Sequence, residues 1–182
     1  SQRWLLGILA SIVLLGGGGL MTYVLAQIAD VQREGVAAAP VLADAGYGTV
    51  TAFRDGLTEM DIPYVLGVLG ETSAWSPGKS PLPPRPWRGQ GRPPSQFQRA
   101  DGHRPESLRA VAAALPAHAW RSISWRQGTR GAMRSRFACV RVRPAHRDEN
   151  RRPPRPEEWL LIEWPRSESE PTKYWLSTLP VG

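Results

Sequence analysis

The chain is expected to be an α/β protein in which a strand, helix, strand unit is followed by an arginine-rich antiparallel β segment, and three features lead there. Val41-Leu42-Ala43-Asp44-Ala45-Gly46-Tyr47-Gly48 is a short apolar run that delivers one carboxylate into a glycine-rich turn. Val50, Phe53, Leu57 and Met60 then recur at helical spacing before a second apolar run over residues 62–68. Beyond Trp120, short stretches rich in aromatic and β-branched residues are separated by turn residues, the pattern of strands.

In chain order, Leu25, Ile28 and Ala29 share one helical face, and Gly35 is placed to close that helix. Residues 37–43 read as a fully buried strand ended by Asp44. Thr49 is placed to N-cap the helix of Phe53 and Leu57, and Pro63-Tyr64-Val65-Leu66-Gly67-Val68 supplies the second buried strand. Such a crossover favours a parallel pair, with the Asp44 carboxylate at its edge.

Residues 71–104 form a loop-like tract containing Pro81-Leu82-Pro83-Pro84-Arg85-Pro86-Trp87-Arg88-Gly89 and Gly91-Arg92-Pro93-Pro94, too proline-rich for a core. The tract reads either as a tethered linker or as a basic arm for a groove or backbone, with Trp87 available for stacking. Residues 105–115 predict a short helix with Pro105 in its first turn and Leu108, Val111, Ala112 and Leu115 facing inward. Strands are expected at 120–125, 133–143, 159–164 and 174–177. In the second of these, Ala138, Val140 and Val142 alternate with Cys139, Arg141 and Arg143, giving an antiparallel sheet with one apolar and one basic face. Trp159, Trp164 and Trp175 suit core packing before base stacking.

Composition bounds what such a fold can do. With 182 residues and 41% apolar content, the chain can bury a core, while eighteen prolines and eighteen glycines promise long irregular connections. The single Cys139 excludes an internal disulfide and favours a reducing, cytoplasmic setting. The net charge of +7 is unevenly distributed: residues 85–155 hold seventeen arginines against Asp101, Glu106, Asp148 and Glu149. Lysine is confined to Lys79 and Lys173, and guanidinium is the cation suited to bidentate phosphate contact and to stacking. Codon bias in a GC-rich genome accounts for arginine over lysine but not for this segregation, which points to a nucleic-acid surface.

Three segments follow from these patterns: a hydrophobic N-terminal stretch over 1–23, a core over 24–70, and a proline-rich arm with antiparallel β structure over 71–182. Residues 4–29 carry no charge and are long enough to cross a bilayer, yet Gly16-Gly17-Gly18-Gly19 interrupts them, and each glycine costs about 1 kcal/mol in a helix interior. The stretch reads either as a membrane anchor or as sequence foreign to the domain that follows. His103, His118 and His146 lack partners at zinc-ligand spacing, and Ser122 and Ser124 lie in no nucleophile motif.

One resemblance is carried by an ordered set of residues. The Val41 to Gly48 run, Phe53-Arg54 and Pro63 to Val68 resemble bacterial insertion-sequence transposases of the DDE endonuclease superfamily. Ala119-Trp120-Arg121, Gly128-Thr129-Arg130-Gly131, Val140 to His146, Glu158 to Pro165 and Pro171 to Pro180 agree, so the likeness spans roughly residues 24–182. It implies a partial ribonuclease-H-like core around Asp44, with Asp44 as the middle of three acidic ligands for Mg²⁺ or Mn²⁺. Hard oxygen ligands suit these ions, which in two-metal sites clamp the attacking and leaving oxygens. It further implies DNA as partner, both transposon ends and target, with a second copy in a homodimer, and a nucleoid-associated place in the cytoplasm. A membrane enters only if residues 4–29 insert. Arg85, Arg88, Arg92, Arg130, Arg134, Arg136, Arg141 and Arg143 are the expected DNA contacts.

The chain departs from that pattern in its acids. Asp30 and Glu34 are the only acids upstream of Asp44 and belong to a helix or its end, whereas the family has a strand-borne aspartate there. Glu157, Glu158, Glu163, Glu168 and Glu170 read as strand and turn acids rather than as the family's helix-borne glutamate, and Thr49 stands where an aspartate is common. A partial or truncated member, inactive alone, is the expectation.

Overall fold

The structure, a computed structural model, describes residues 18–37, 39–128, 131–150 and 153–180. These divide into two units, the described residues up to 37 and those from 39 onward. The first contributes α1 (Gly18–Arg33), whose last turn holds an Asp30–Arg33 ion pair and which ends as expected at Gly35, in the left-handed region at φ +81°. Among the described residues no helix is long and apolar enough to cross a membrane. Residues 4–17 of the expected span, like most of the 1–23 segment, lie outside the described residues.

The second unit is built on a mixed sheet, and its chain is α/β as read from the sequence. β1 (Val41–Ala43), α2 (Ala45–Gly48), α3 (Thr51–Glu59) and β2 (Tyr64–Val68) form the crossover, and β1 and β2 are parallel with Val41 opposite Tyr64 and Ala43 opposite Leu66. The strand is shorter and more open than the expected buried run over 37–43. Pro40 has no N–H to offer a ladder, so pairing starts at Val41; β1 is also an edge strand, which leaves Leu42 71% exposed. Thr49 does not cap α3 either. Asp44 caps its own one-turn helix, α2, which ends at Thr49, and α3 restarts from Val50 without a side-chain cap.

The tract over 71–104 is not all loop. Ser73–Trp75 forms β3, and the wholly buried Trp75 indole donates from Nε1 to Asp148 Oδ2 at 2.5 Å. Beyond it the arm is irregular and is closed by a bridge between Leu82 and Gln98. Pro105 lies outside the next helix, because Glu106–Ser107 (β4) pairs with β3 and Ser107 then caps α4 (Leu108–Ala113) by accepting from Ala110 N at 3.2 Å. β5 (Arg121–Gly128), β6 (Gly131–Pro144), β7 (Glu158–Trp164) and β8 (Lys173–Ser177) follow where strands were expected, all antiparallel to their neighbours.

The strand order is β1-β2-β8-β7-β6-β3-β4, with β5 paired to the first half of β6. β8 returns to pair antiparallel with β2, Leu66 opposite Leu176, so the arginine-rich strands and the crossover share one sheet. The expected boundary at residue 70 falls between β2 and β3 within this unit. One face is dry: Val68, Ala138, Val142, Leu160, Ile162, Tyr174 and Leu176 pack with Leu108, Val111 and Ala112 of α4. Trp159, Leu161 and Trp175 stand half-buried on the opposite face, while Trp164 meets Trp120 edge-on at 5.1 Å at the border of the dry one.

Candidate functional site

Asp44 leaves the carboxyl end of β1 in extended conformation, and its side chain turns back to accept from Gly46 N at 2.9 Å. Its backbone carbonyl accepts from Tyr47 N and Gly48 N, so the carboxylate stands exposed at the start of α2. Two glycines permit this. A Cβ on Gly48 would lie 2.0 Å from the Gly67 carbonyl oxygen, and one on Gly67 would lie 2.9 Å from Ala45 N. The one-turn helix therefore sits on β2 with no side chain between, and the place of Asp44 is fixed by backbone against backbone.

Beneath it lies a buried polar network that sequence reading missed. Arg54, 2% exposed on α3, donates to the Gly48 carbonyl and, at 3.2 Å, to Thr51 Oγ1, tying the end of α2 to α3. Arg155 grips Asp55 with two hydrogen bonds of 3.1 Å and donates to the His146 carbonyl at 2.6 Å, joining α3 to the segment before β7. The signal available was weak: Arg54 and Asp55 sit beside core-facing Phe53 and Leu57 on a nine-residue helix, where a polar pair is ordinarily assigned to solvent.

Glu158, 4% exposed, faces Arg54 and Tyr64 from β7. Burial pushes its carboxyl up to about 6 from 4.5, against the pull of the Arg54 guanidinium. Burial, reinforced by Glu158, likewise raises the Tyr64 phenol. Since the folded value of Glu158 exceeds the unfolded one, its contribution to stability is fully present below pH 4.5 and lost as pH rises through 6. Wild type should therefore lose about 2 kcal/mol relative to Glu158→Gln between pH 4.5 and 7.5 in urea unfolding. A difference that stays flat across this range would remove the assignment.

Metal-binding chemistry asks for more than Asp44. Among the described residues no three or more His, Cys, Asp or Glu side chains cluster in a way that could hold an ion. Asp55 is engaged by Arg155, Glu163 by Lys173 at 3.2 Å, and Glu158 lies buried beside Arg54. One carboxylate does not satisfy a hard divalent cation, which takes at least six oxygen ligands.

The arginines fall into two groups. Arg141 and Arg143 are held by the fold: Arg141 donates to the Glu157 carbonyl at 2.6 Å and stacks over Trp159, and Arg143 donates to the Arg155 carbonyl and pairs with Glu157 at 3.6 Å. Arg99 is likewise spent on Asp148 and Glu149, which anchors the arm. Arg85, Arg88 and Arg92 stand exposed along the arm with Trp87, Arg85 donating to Gln98 Oε1 at 3.2 Å. Arg134 is exposed and donates to Ser124 Oγ at 2.9 Å, and Arg136 lies 3.9 Å over the Trp164 ring. None of these five has a carboxylate partner among the described residues, whereas Arg130 lies outside them. Glu157, read from the sequence as a strand or turn acid, is the unforeseen partner of Arg141 and Arg143: the β6–β7 connection brings it back beside the arginine face.

A family model described as DDE superfamily endonuclease matches residues 20–132, more than half of the chain. No curated protein sequence matches it. The matched span contains all but the first two residues of α1, the crossover with Asp44, the arm, α4 and β5.

Proposed function

The chain belongs to the DDE superfamily of endonucleases, and from that membership we propose that it is part of an insertion-sequence transposase that binds DNA, cuts its phosphodiester backbone and transfers the cut strand. Nucleic acid is the substrate class that the family carries. In this reading β1, α2, α3 and β2 are a ribonuclease-H-like core, and Asp44 is one acidic ligand of its divalent ion, Mg²⁺ or Mn²⁺. The observation that carries it is the placement of Asp44 at the carboxyl edge of a parallel pair, rigidly seated by Gly48 and Gly67.

The ion would supply an activated oxygen nucleophile and charge stabilisation for the leaving one. Among the described residues Asp44 belongs to no group of three or more His, Cys, Asp or Glu side chains that could hold an ion, and this chain by itself carries no catalytic step in this reading. Its own residues present one carboxylate and bind the DNA backbone through arginine, in the cytoplasm at the nucleoid, with a second copy as partner in the complete assembly. The unpaired arginines equally support a second reading, a DNA-binding module without catalysis.

A mobility-shift titration with a random 30-base-pair duplex tests the common part. Binding is expected, and Asp44→Ala should leave it unchanged while joint replacement of Arg85, Arg88 and Arg92 weakens it; failure to bind at low salt would overturn both readings. Incubation with Mg²⁺ separates them from a self-sufficient nuclease. The chain alone should leave the duplex intact, and cleavage abolished by Asp44→Ala would refute the assignment of a single ligand.

A further inference from the structure

The register of β6 points to a DNA-reading element of a particular shape. β6 runs from Gly131 to Pro144, but β7 pairs with it only over Arg136 to Val142, whereas β5 pairs with it from Phe137 out to Gly131. The β5–β6 hairpin thus runs on beyond the last β7 pair at Arg136 as a two-stranded ribbon, buried at Ser135 and exposed at Met133 and Arg134. A shift in register between Ser124 and Arg126 marks a bulge, which raises the local twist. Its width of two strands matches a B-DNA major groove of about 12 Å, which admits such a ribbon.

Its charge is of one sign. From residue 107 to 147 the sequence holds nine arginines and no aspartate or glutamate. Arg134 and Ser124 face each other across the exposed ribbon, Arg121 is exposed at its root, and Arg121, Arg134 and Arg136 have no carboxylate partner among the described residues. Ile123 and Met133, each 45% exposed, lie on the opposite face of the ribbon from Arg134 and Ser124.

Register also says where the ribbon leads. Ala43 lies in one row with Leu66, Leu176, Leu160 and Val140, so Asp44 and the ribbon leave the sheet at the same end. From β1 to β6 the order crosses β2, β8 and β7, a lateral separation of roughly 20 Å at about 4.8 Å per strand step. That is about the width of one duplex.

We propose that the β5–β6 ribbon enters the major groove of duplex DNA and holds it across the end of the sheet that carries Asp44. The proposal rests on the DNA-binding reading above and adds the element, the groove and the direction. Arg134 contacts a base edge or phosphate in the groove, and Arg121 and Arg136 contact the flanking backbone.

The test uses the full chain and a variant in which residues 124–134 are replaced by Asn-Gly, a two-residue turn that joins the cross-strand pair Ile123 and Ser135. The variant should keep a cooperative thermal unfolding transition and bind the duplex about 30-fold more weakly, Arg134→Ala showing part of that loss. Premethylation of guanine N7, a major-groove atom, should inhibit wild-type binding, while the minor-groove ligand distamycin should not compete. Double-stranded RNA, whose major groove is deep and narrow, should bind less well than DNA. Wild-type affinity in the shortened variant, insensitivity to N7 methylation, or equal binding to double-stranded RNA would each overturn the ribbon while leaving DNA binding in place. Absence of any wild-type binding would instead remove the underlying reading and the ribbon with it.

Discussion

Gly48→Ala is expected to destabilise the sheet unit by about 3 kcal/mol or more, lowering its thermal midpoint by roughly 10 °C. The added Cβ would lie 2.0 Å from the Gly67 carbonyl oxygen and 2.8 Å from Leu66 Cβ. Neither neighbour can yield cheaply, since Gly67 belongs to β2, which is paired with β8. Relief therefore requires α2 to lift off the strand, which also breaks the Arg54 bond to the Gly48 carbonyl and displaces Asp44. Gly78→Ala is the control. Gly78 has a φ of +75° but nothing within 4 Å of its Cβ position, so only backbone strain of about 1 kcal/mol is expected. Equal melting temperatures for the two variants would show that close approach at Gly48 does not hold the turn.

The contrast shows what a sequence makes legible. Asp44 was readable because an apolar run, a carboxylate and a glycine-rich turn are adjacent in the chain, and β1 and β2 did pair in parallel around it. The reason for Gly48 was not readable, because its partner Gly67 arrives through tertiary packing. Alternation predicted the two faces of β6, and Ala138 and Val142 are indeed in the core. The same alternation set Arg141 and Arg143 on the other face but could not show that Glu157 waits there. β3 escaped notice for a simpler reason: three residues carry no period, and Trp75 stands among turn residues until Asp148 and β6 enclose it. The return of β8 to β2 is likewise a pairing across more than a hundred residues, with no local signature.

Binding to duplex DNA is expected to fall by about a thousandfold between 50 and 200 mM salt, because about six phosphates are neutralised. The number counts the arginines of the arm and the ribbon. Arg99, Arg104, Arg109, Arg141, Arg143 and Arg155 are each paired with a carboxylate, and releasing one to DNA would forfeit that contact. Arg85, Arg88 and Arg92 on the arm and Arg121, Arg134 and Arg136 on the ribbon carry no such partner among the described residues. Each phosphate contact adds about −0.9 to the slope of log affinity against log salt, so these six predict a slope near −5. Replacing Arg85, Arg88 and Arg92 together should reduce its magnitude by about three units. Replacing Arg141 and Arg143 should leave the slope in place while lowering the melting temperature, since their charges already face Glu157. If the slope instead shrank with Arg141 and Arg143 and ignored the arm, the sheet face rather than the arm and ribbon would be the DNA surface.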